Sequence, residues 1–180
     1  SAIQDILVVD SHEVGASFMR WPEETRFITP SFFSNPFGQP DLNSVTPDSS
    51  LALFCGEEHP GGKTYASYLK AVLDEYQIPV MAPARIAKVA LLSSGNFILT
   101  TEAGEKLETR SLIWATGEFQ FPDRLIFPGA DICCHYGDVT SWKDFRKGEY
   151  IVIGGYESAV DAAVNLLENG SSVKMLTRSA

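Results

Sequence analysis

The chain has 180 residues, 44% of them apolar and 21% charged, with a net charge of −9. This composition is globular, and the acidic balance argues against nucleic acid and anionic membrane surfaces as partners; no apolar run approaches the roughly 18 residues that span a bilayer. Cys55 and the adjacent pair Cys133 and Cys134 form neither a disulfide framework nor a C-x-x-C motif, which suits a reducing cytoplasm, and the scattered His12, His59 and His135 offer no metal-ligand spacing.

Ile6 to Asp10 reads as a buried strand ending in a carboxylate. In a doubly wound unit, an acid at the tip of the second strand receives the ribose hydroxyls of a dinucleotide whose glycine loop lies about 20 residues earlier. That loop would fall before residue 1; on this strand alone, Asp10 is equally a plain turn residue. Residues 11–62 are irregular and rich in Pro, Gly, Ser and aromatics, a length that suits a lid or a ligand-wrapping segment. After Gly62 a helix begins, with Tyr65, Tyr68, Leu69, Val72, Leu73 and Tyr76 as a core stripe. Three strands follow, at 86–92, 97–101 and 107–114, joined by tight turns into an antiparallel meander. It ends at Ala115-Thr116-Gly117, where the glycine either lets a ligand approach the backbone or simply makes a turn.

The most informative stretch is Tyr150-Ile-Val-Ile-Gly-Gly-Tyr-Glu-Ser-Ala159. It reads as a strand running into a tight turn at Gly154 that opens a helix, with Ala159 small enough for that helix to pack against the sheet, so that the amides of the helix N-terminus face a pyrophosphate. Val160, Ala163, Val164 and Leu167 recur at helical spacing until Asn169-Gly170, and 172–177 forms the second strand of a βαβ unit. One position departs from the G-x-G-x-x-G/A spacing: Tyr156 stands where the second glycine would let the backbone approach phosphate. At the end of the second strand an NAD site carries an acid, whereas this chain has Thr177 and Arg178, which favours the 2′-phosphate of NADPH over an ordinary surface charge.

Asp10, Gly15-Ala16-Ser17 with Trp21-Pro22, Ala115-Thr116-Gly117, Phe127-Pro128-Gly129 and Gly154 to Ala159 together resemble the flavoprotein oxidoreductases with two dinucleotide-binding domains. Within that superfamily the chain resembles bacterial flavin-containing monooxygenase-like and cation-efflux-associated oxidoreductases, with thioredoxin reductase and bacillithiol disulfide reductase as cousins. The resemblance implies an α/β, FAD/NAD(P)-binding Rossmann-like fold: a parallel sheet with helices plus the three-stranded antiparallel meander, as part of a two-domain flavoprotein. It implies a partial FAD domain over 1–125 and the beginning of an NADPH domain over 126–180. Asp10 would hold the adenosine ribose, the loop from Gly15 to Trp21 would pass along FAD, Ile86 would meet adenine through its backbone, and Thr116 and Gly117 would close over the flavin. Gly154, Gly155, Tyr156, Glu157, Ser158 and Ala159 would line the NADPH pyrophosphate site, with Thr177 and Arg178 at the 2′-phosphate. The first glycine loop and the segment returning to the flavin are expected outside these 180 residues.

In such enzymes hydride passes from NADPH to FAD and then to oxygen, as in a monooxygenase, or to an external acceptor such as a low-molecular-weight disulfide. Adjacent Cys133 and Cys134 make a poor working dithiol, so they are expected to be buried structural thiols, with His135 and Tyr136 in the crossing between domains. Asn35 lies near the place where monooxygenase relatives carry a polar residue, but no catalytic residue is assigned. The substrate is expected to be a small molecule in the cytoplasm; the alternative from another class is a nucleotide-binding or redox-sensing module without turnover.

Overall fold

The computed structural model describes residues 5–32, 41–117 and 121–178. Asn35 and Phe119 lie outside them. In chain order the elements are β1 (Val8–Val9), α1 (Ala16–Met19), α2 (Leu51–Cys55), α3 (Gly62–Glu75) and β2 (Val80–Met81). The meander strands β3 (Ile86–Leu91), β4 (Phe97–Thr101) and β5 (Lys106–Thr109) follow, and then β6 (Glu149–Ile153), α4 (Glu157–Glu168) and β7 (Ser172–Leu176). Among the described residues no helix is long and apolar enough to cross a membrane. The fold is α/β with parallel and antiparallel sheets, as expected.

By compactness the residues group into two units, 1–16 with 66–121 and 17–65 with 122–180. In the first, β1 pairs in parallel with β2, Val8 opposite Val80 and Val9 opposite Met81. The expected buried strand from Ile6 to Asp10 is therefore only two residues of ladder, and Ile6, Leu7 and Val8 are about half exposed. A two-residue ladder with one neighbouring strand leaves both of its faces largely uncovered among the described residues. The meander is an antiparallel sheet in the order β3-β4-β5. Its third strand is shorter than expected and stops at Thr109, because Thr109 already faces Phe97, the first residue of β4, so later residues have no ladder to join. Ile113 and Trp114 are accordingly exposed. The α3 stripe is buried at Tyr65, Tyr68 and Val72, whereas Tyr76 falls past the helix end and is exposed.

The second unit is built on the parallel pair β6 and β7, in register from Glu149 opposite Ser172 to Ile153 opposite Leu176. Parallel neighbours need a crossover, and α4 supplies it. Its buried residues are Ala162, Ala163 and Leu166, while Val160, Val164 and Leu167 of the expected stripe are about half exposed. The helix is apolar on more than one flank, and the flank that is covered faces Val139 and Trp142, with Tyr136, Phe145, Tyr150, Val152 and Val173 packed around them.

The irregular segment 17–65 is no bare loop. Phe18, Trp21, Phe27 and Tyr65 form an aromatic cluster with ring centroids 4.5 to 6.0 Å apart. Its buried polar groups are paired: the Asp41 carboxylate accepts the amides of Asn43 at 3.0 Å and Ala52 at 3.1 Å, and the Asn43 side chain donates to Thr29 O and Ser31 Oγ. The same segment is fastened to residues 136–161. Thr25 Oγ1 and Tyr136 OH both donate to Asp161 Oδ2, at 2.9 and 2.8 Å. Glu24 accepts Ser141 Oγ at 2.7 Å and the Trp142 amide at 2.9 Å.

Candidate functional site

The βαβ unit carries the more completely built site. Strand β6 ends at Ile153, and Gly154, at φ 135, turns the chain while its amide donates to Leu176 O at 2.9 Å. A β-carbon on Gly154 would meet that of Ala159 at 3.2 Å, which is why a small residue opens the packing of α4 on the loop. A β-carbon on Gly155 would stand 2.6 Å from Thr177 Cγ2, closer than such atoms approach, so glycine is required there. Tyr156 is the residue before α4; its carbonyl accepts the amides of Ala159 and Val160. The amides of Tyr156, Glu157 and Ser158 make no hydrogen bond to any described residue and stand with the partial positive charge of the helix N-terminus. Glu157 and Ser158 are exposed, as are Thr177 and Arg178 just past β7. Thr177 thus stands against Gly155 of this loop, with Arg178 next in the chain. Those residues fit a dinucleotide pyrophosphate: a glycine turn tied to the neighbouring strand β7, a small residue in the first helical turn and unengaged amides.

In the first unit, Asp10 follows β1, exposed, with its amide donating to Met81 O and its carbonyl accepting the Ala84 amide at 2.7 Å. Its Oδ1 accepts the His12 amide at 2.9 Å. Beside it lies a cleft of about 340 Å³ lined by Ser11, His12, Pro83, Ala84, Arg85, Thr101, Glu102, Ala103 and Glu105. Asp10 and Ile86 do not line the cleft themselves; their immediate neighbours His12 and Arg85 do. Arg85 Nε pairs with Glu102 Oε1 at 3.2 Å across an exposed rim. Ile86 opens β3, half-buried opposite Thr101, with a bulge between it and Lys88. The cleft lies between the residues after β1 and the start of the meander; the sequence alone pointed to Asp10 and Ile86 but not to the Ser11, His12 and Arg85 that wall it.

The remaining expected positions are placed differently. Gly15 is needed for packing on α3: at φ 82, its β-carbon would lie 2.7 Å from Ala66 Cα and Cβ. Trp21 is half-buried in the aromatic cluster, 5.2 Å from Phe18 and 5.1 Å from Phe27, and belongs to the other unit. Thr116 and Gly117 lie outside any strand, Gly117 at φ 71 with open space where a side chain would stand. Cys133 and Cys134, expected to be buried, are both exposed, because the chain leaves a short 3₁₀ turn in extended backbone at Cys133.

Two ionisable groups outside these sites are strongly held. Burial first, and then Asp161 beside it, push the Tyr136 phenol far above its ordinary range against the opposing Thr25 hydrogen bond. Burial works against the charge on Glu24, but the hydrogen bonds from Ser141 and Trp142, with Lys143 nearby, outweigh it and hold that carboxyl below its ordinary range.

Comparison with known proteins agrees with this geometry. The chain is 26% identical over 171 residues to the uncharacterized oxidoreductase CzcO of Bacillus velezensis, covering 91% of this chain and 45% of the relative. It is 25% identical to a ferredoxin–NADP reductase of Leuconostoc citreum, covering 98% of this chain and 53% of that one. Among solved structures it superposes on the bacillithiol disulfide reductase Bdr (YpdA) of Staphylococcus aureus with a TM-score of 0.74 and 26% identity, over 97% of this chain and 50% of that one. The flavin-containing monooxygenase of Stenotrophomonas maltophilia, at TM-score 0.70 and 15% identity over 98% of this chain and 58% of that one, shares the fold. The chain spans about half the length of the curated relatives it matches. The sequence matches the pyridine nucleotide-disulphide oxidoreductases over residues 1–180, and the chain belongs to that family.

Proposed function

We propose that the protein carrying this chain is a flavin-dependent NADPH oxidoreductase acting on a small molecule in the cytoplasm, with no nucleic acid or membrane partner. The observation that carries this reading is the β6–α4–β7 unit, whose glycine loop is closed on Thr177 and whose first helical amides are unengaged. Residues 126–180 would begin the NADPH domain: Gly154 to Ala159 hold the pyrophosphate and Arg178, with Thr177, the 2′-phosphate. Residues 1–125 would form part of the FAD domain. There Asp10 would hold the adenosine ribose, the backbone of Ile86 adenine, and the stretches 15–21 and 116–117 the length of the flavin cofactor. When bound, the flavin supplies the hydride and electron chemistry. The chain's own residues bind and orient the two nucleotides and keep water from the transfer.

Two acceptors suit that chemistry. The likeness to a bacillithiol disulfide reductase, 26% identical over nearly the whole chain, favours a low-molecular-weight disulfide: NADPH, a proton and RSSR give NADP⁺ and two RSH. A monooxygenase reading, in which NADPH, a proton, oxygen and substrate give NADP⁺, water and oxygenated substrate, rests on likenesses of 14 to 18% that speak for the fold. An absorbance spectrum of the full-length protein, followed by NADPH oxidation with and without a low-molecular-weight disulfide, tests both. A yellow protein that oxidises NADPH faster than NADH, and faster again with disulfide, is the expected result. Rapid peroxide release unaffected by disulfide supports oxygen as acceptor, and a colourless protein indifferent to both nucleotides overturns the flavoenzyme.

A further inference from the structure

We propose that Tyr156 forms an aromatic wall of the NADPH site, its ring packed along the bound dinucleotide where the pyrophosphate meets the N-terminus of α4. This rests on the NADPH reading of the β6–α4–β7 unit. In the G-x-G-x-x-G/A pattern, glycine at this position lets the backbone approach the pyrophosphate. The other use of glycine, a positive φ, is not needed: Tyr156 has φ −110 and ψ −173, extended backbone that any residue adopts. What the tyrosine changes is therefore the presence of a ring. That ring does not cap the helix, and Tyr156 is 81% exposed, a large aromatic left in water beside unengaged amides.

The backbone on either side of the ring is fixed. Gly154 N is held by Leu176 O at 2.9 Å, and the Tyr156 carbonyl accepts Ala159 N and Val160 N at 2.9 and 3.0 Å. Gly155 packs so close to Thr177 that no β-carbon fits between them. The exposed tyrosine side-chain torsions remain free to respond to a ligand. A dinucleotide whose phosphates meet the amides of Glu157 and Ser158 passes directly beside the preceding residue, so the ring either lies along it or obstructs it. Covering the ring removes apolar surface from water, and the neutral phenol adds no charge against the phosphates. The ring along the ligand is the arrangement that gains on both counts.

The test uses the flavin-loaded full-length protein. The Kd for NADP⁺ is measured by calorimetry, and nitration of Tyr156 by tetranitromethane is mapped by mass spectrometry with and without saturating NADP⁺. We expect NADP⁺ to shield Tyr156, Tyr156→Phe to bind as the unmodified protein does, and Tyr156→Ala and Tyr156→Gly to bind about tenfold more weakly, the size of one modest stacking contact. Tighter or unchanged binding by Tyr156→Gly or Tyr156→Ala, or nitration indifferent to NADP⁺, overturns the wall and leaves the NADPH reading standing. No NADP⁺ binding by the unmodified protein overturns both.

Discussion

Gly155 and Thr177 meet across the mouth of the βαβ loop, the glycine Cα turned so that any β-carbon would stand 2.6 Å from the threonine Cγ2. This close approach sets the residue after the turn against the residue after β7, so the ends proposed for the pyrophosphate and the 2′-phosphate share one packing relationship. Gly155→Ala should force the loop off its strand, costing roughly 1–3 kcal/mol in stability and weakening NADP⁺ binding. Thr177→Ser removes the clashing methyl, so the double variant should recover part of both losses. Chemical unfolding and calorimetry read the two effects; an additive double variant would show that the residues are not coupled.

Arg178 is exposed just past β7, the place proposed for the 2′-phosphate of NADPH. Arg178→Ala should raise the KM for NADPH roughly tenfold, as expected for a lost charge-assisted hydrogen bond, and leave that for NADH little changed. Equal effects on the two nucleotides would remove Arg178 from the phosphate site.

Glu24 holds the turn at Ser141 and Trp142 through its charged form, and its carboxyl lies below the ordinary value of 4.5. A carboxyl depressed on folding contributes stability that is complete above its ordinary value and is lost as pH falls through the folded value. Glu24→Gln should cost roughly 1–2 kcal/mol at neutral pH and flatten the loss of stability on acidification below 4.5. Denaturant unfolding as a function of pH measures both.

Tyr136 shows the opposite sign. Its phenol is raised above 10.0, so folding favours the protonated ring; the stability this adds is complete below 10.0 and lost as pH rises through the folded value. Tyr136→Phe should lower stability by about 1–2 kcal/mol at neutral pH, through the lost bond to Asp161, and should remove part of the alkaline decline. A variant whose alkaline limb matches the unmodified protein would place that decline elsewhere.

Local chemistry made the βαβ unit legible in the sequence. Gly154 and Gly155 punctuate the strand, Asn169-Gly170 stops the helix, and the observed ends of β6 and β7 and the last residue of α4 fall within a residue of expectation. What was not legible depends on partners distant in sequence. The covered flank of α4 is chosen by Val139 and Trp142, not by the periodicity of α4 itself, so Val160 and Leu167 looked like core and are not. The meander's last strand looked long because Leu112, Ile113 and Trp114 are apolar, yet a strand ends where its neighbour does. Asp10 and Ile86 announced a cleft whose walls, Arg85 and Glu102 among them, follow only from pairing β3 with β4.

The hydrogen bond from Thr25 to Asp161 spans 136 positions of sequence, and residues 66–121 belong to the other unit between its two ends. At synthesis rates of about 5–20 residues per second, Thr25 leaves the ribosome on the order of ten seconds before its acceptor exists. Until then the Glu23–Thr25 stretch has no Asp161, Ser141 or Trp142 to bind. The unit containing the glycine loop therefore completes its assembly late, after the meander has had time to pair its own neighbouring strands.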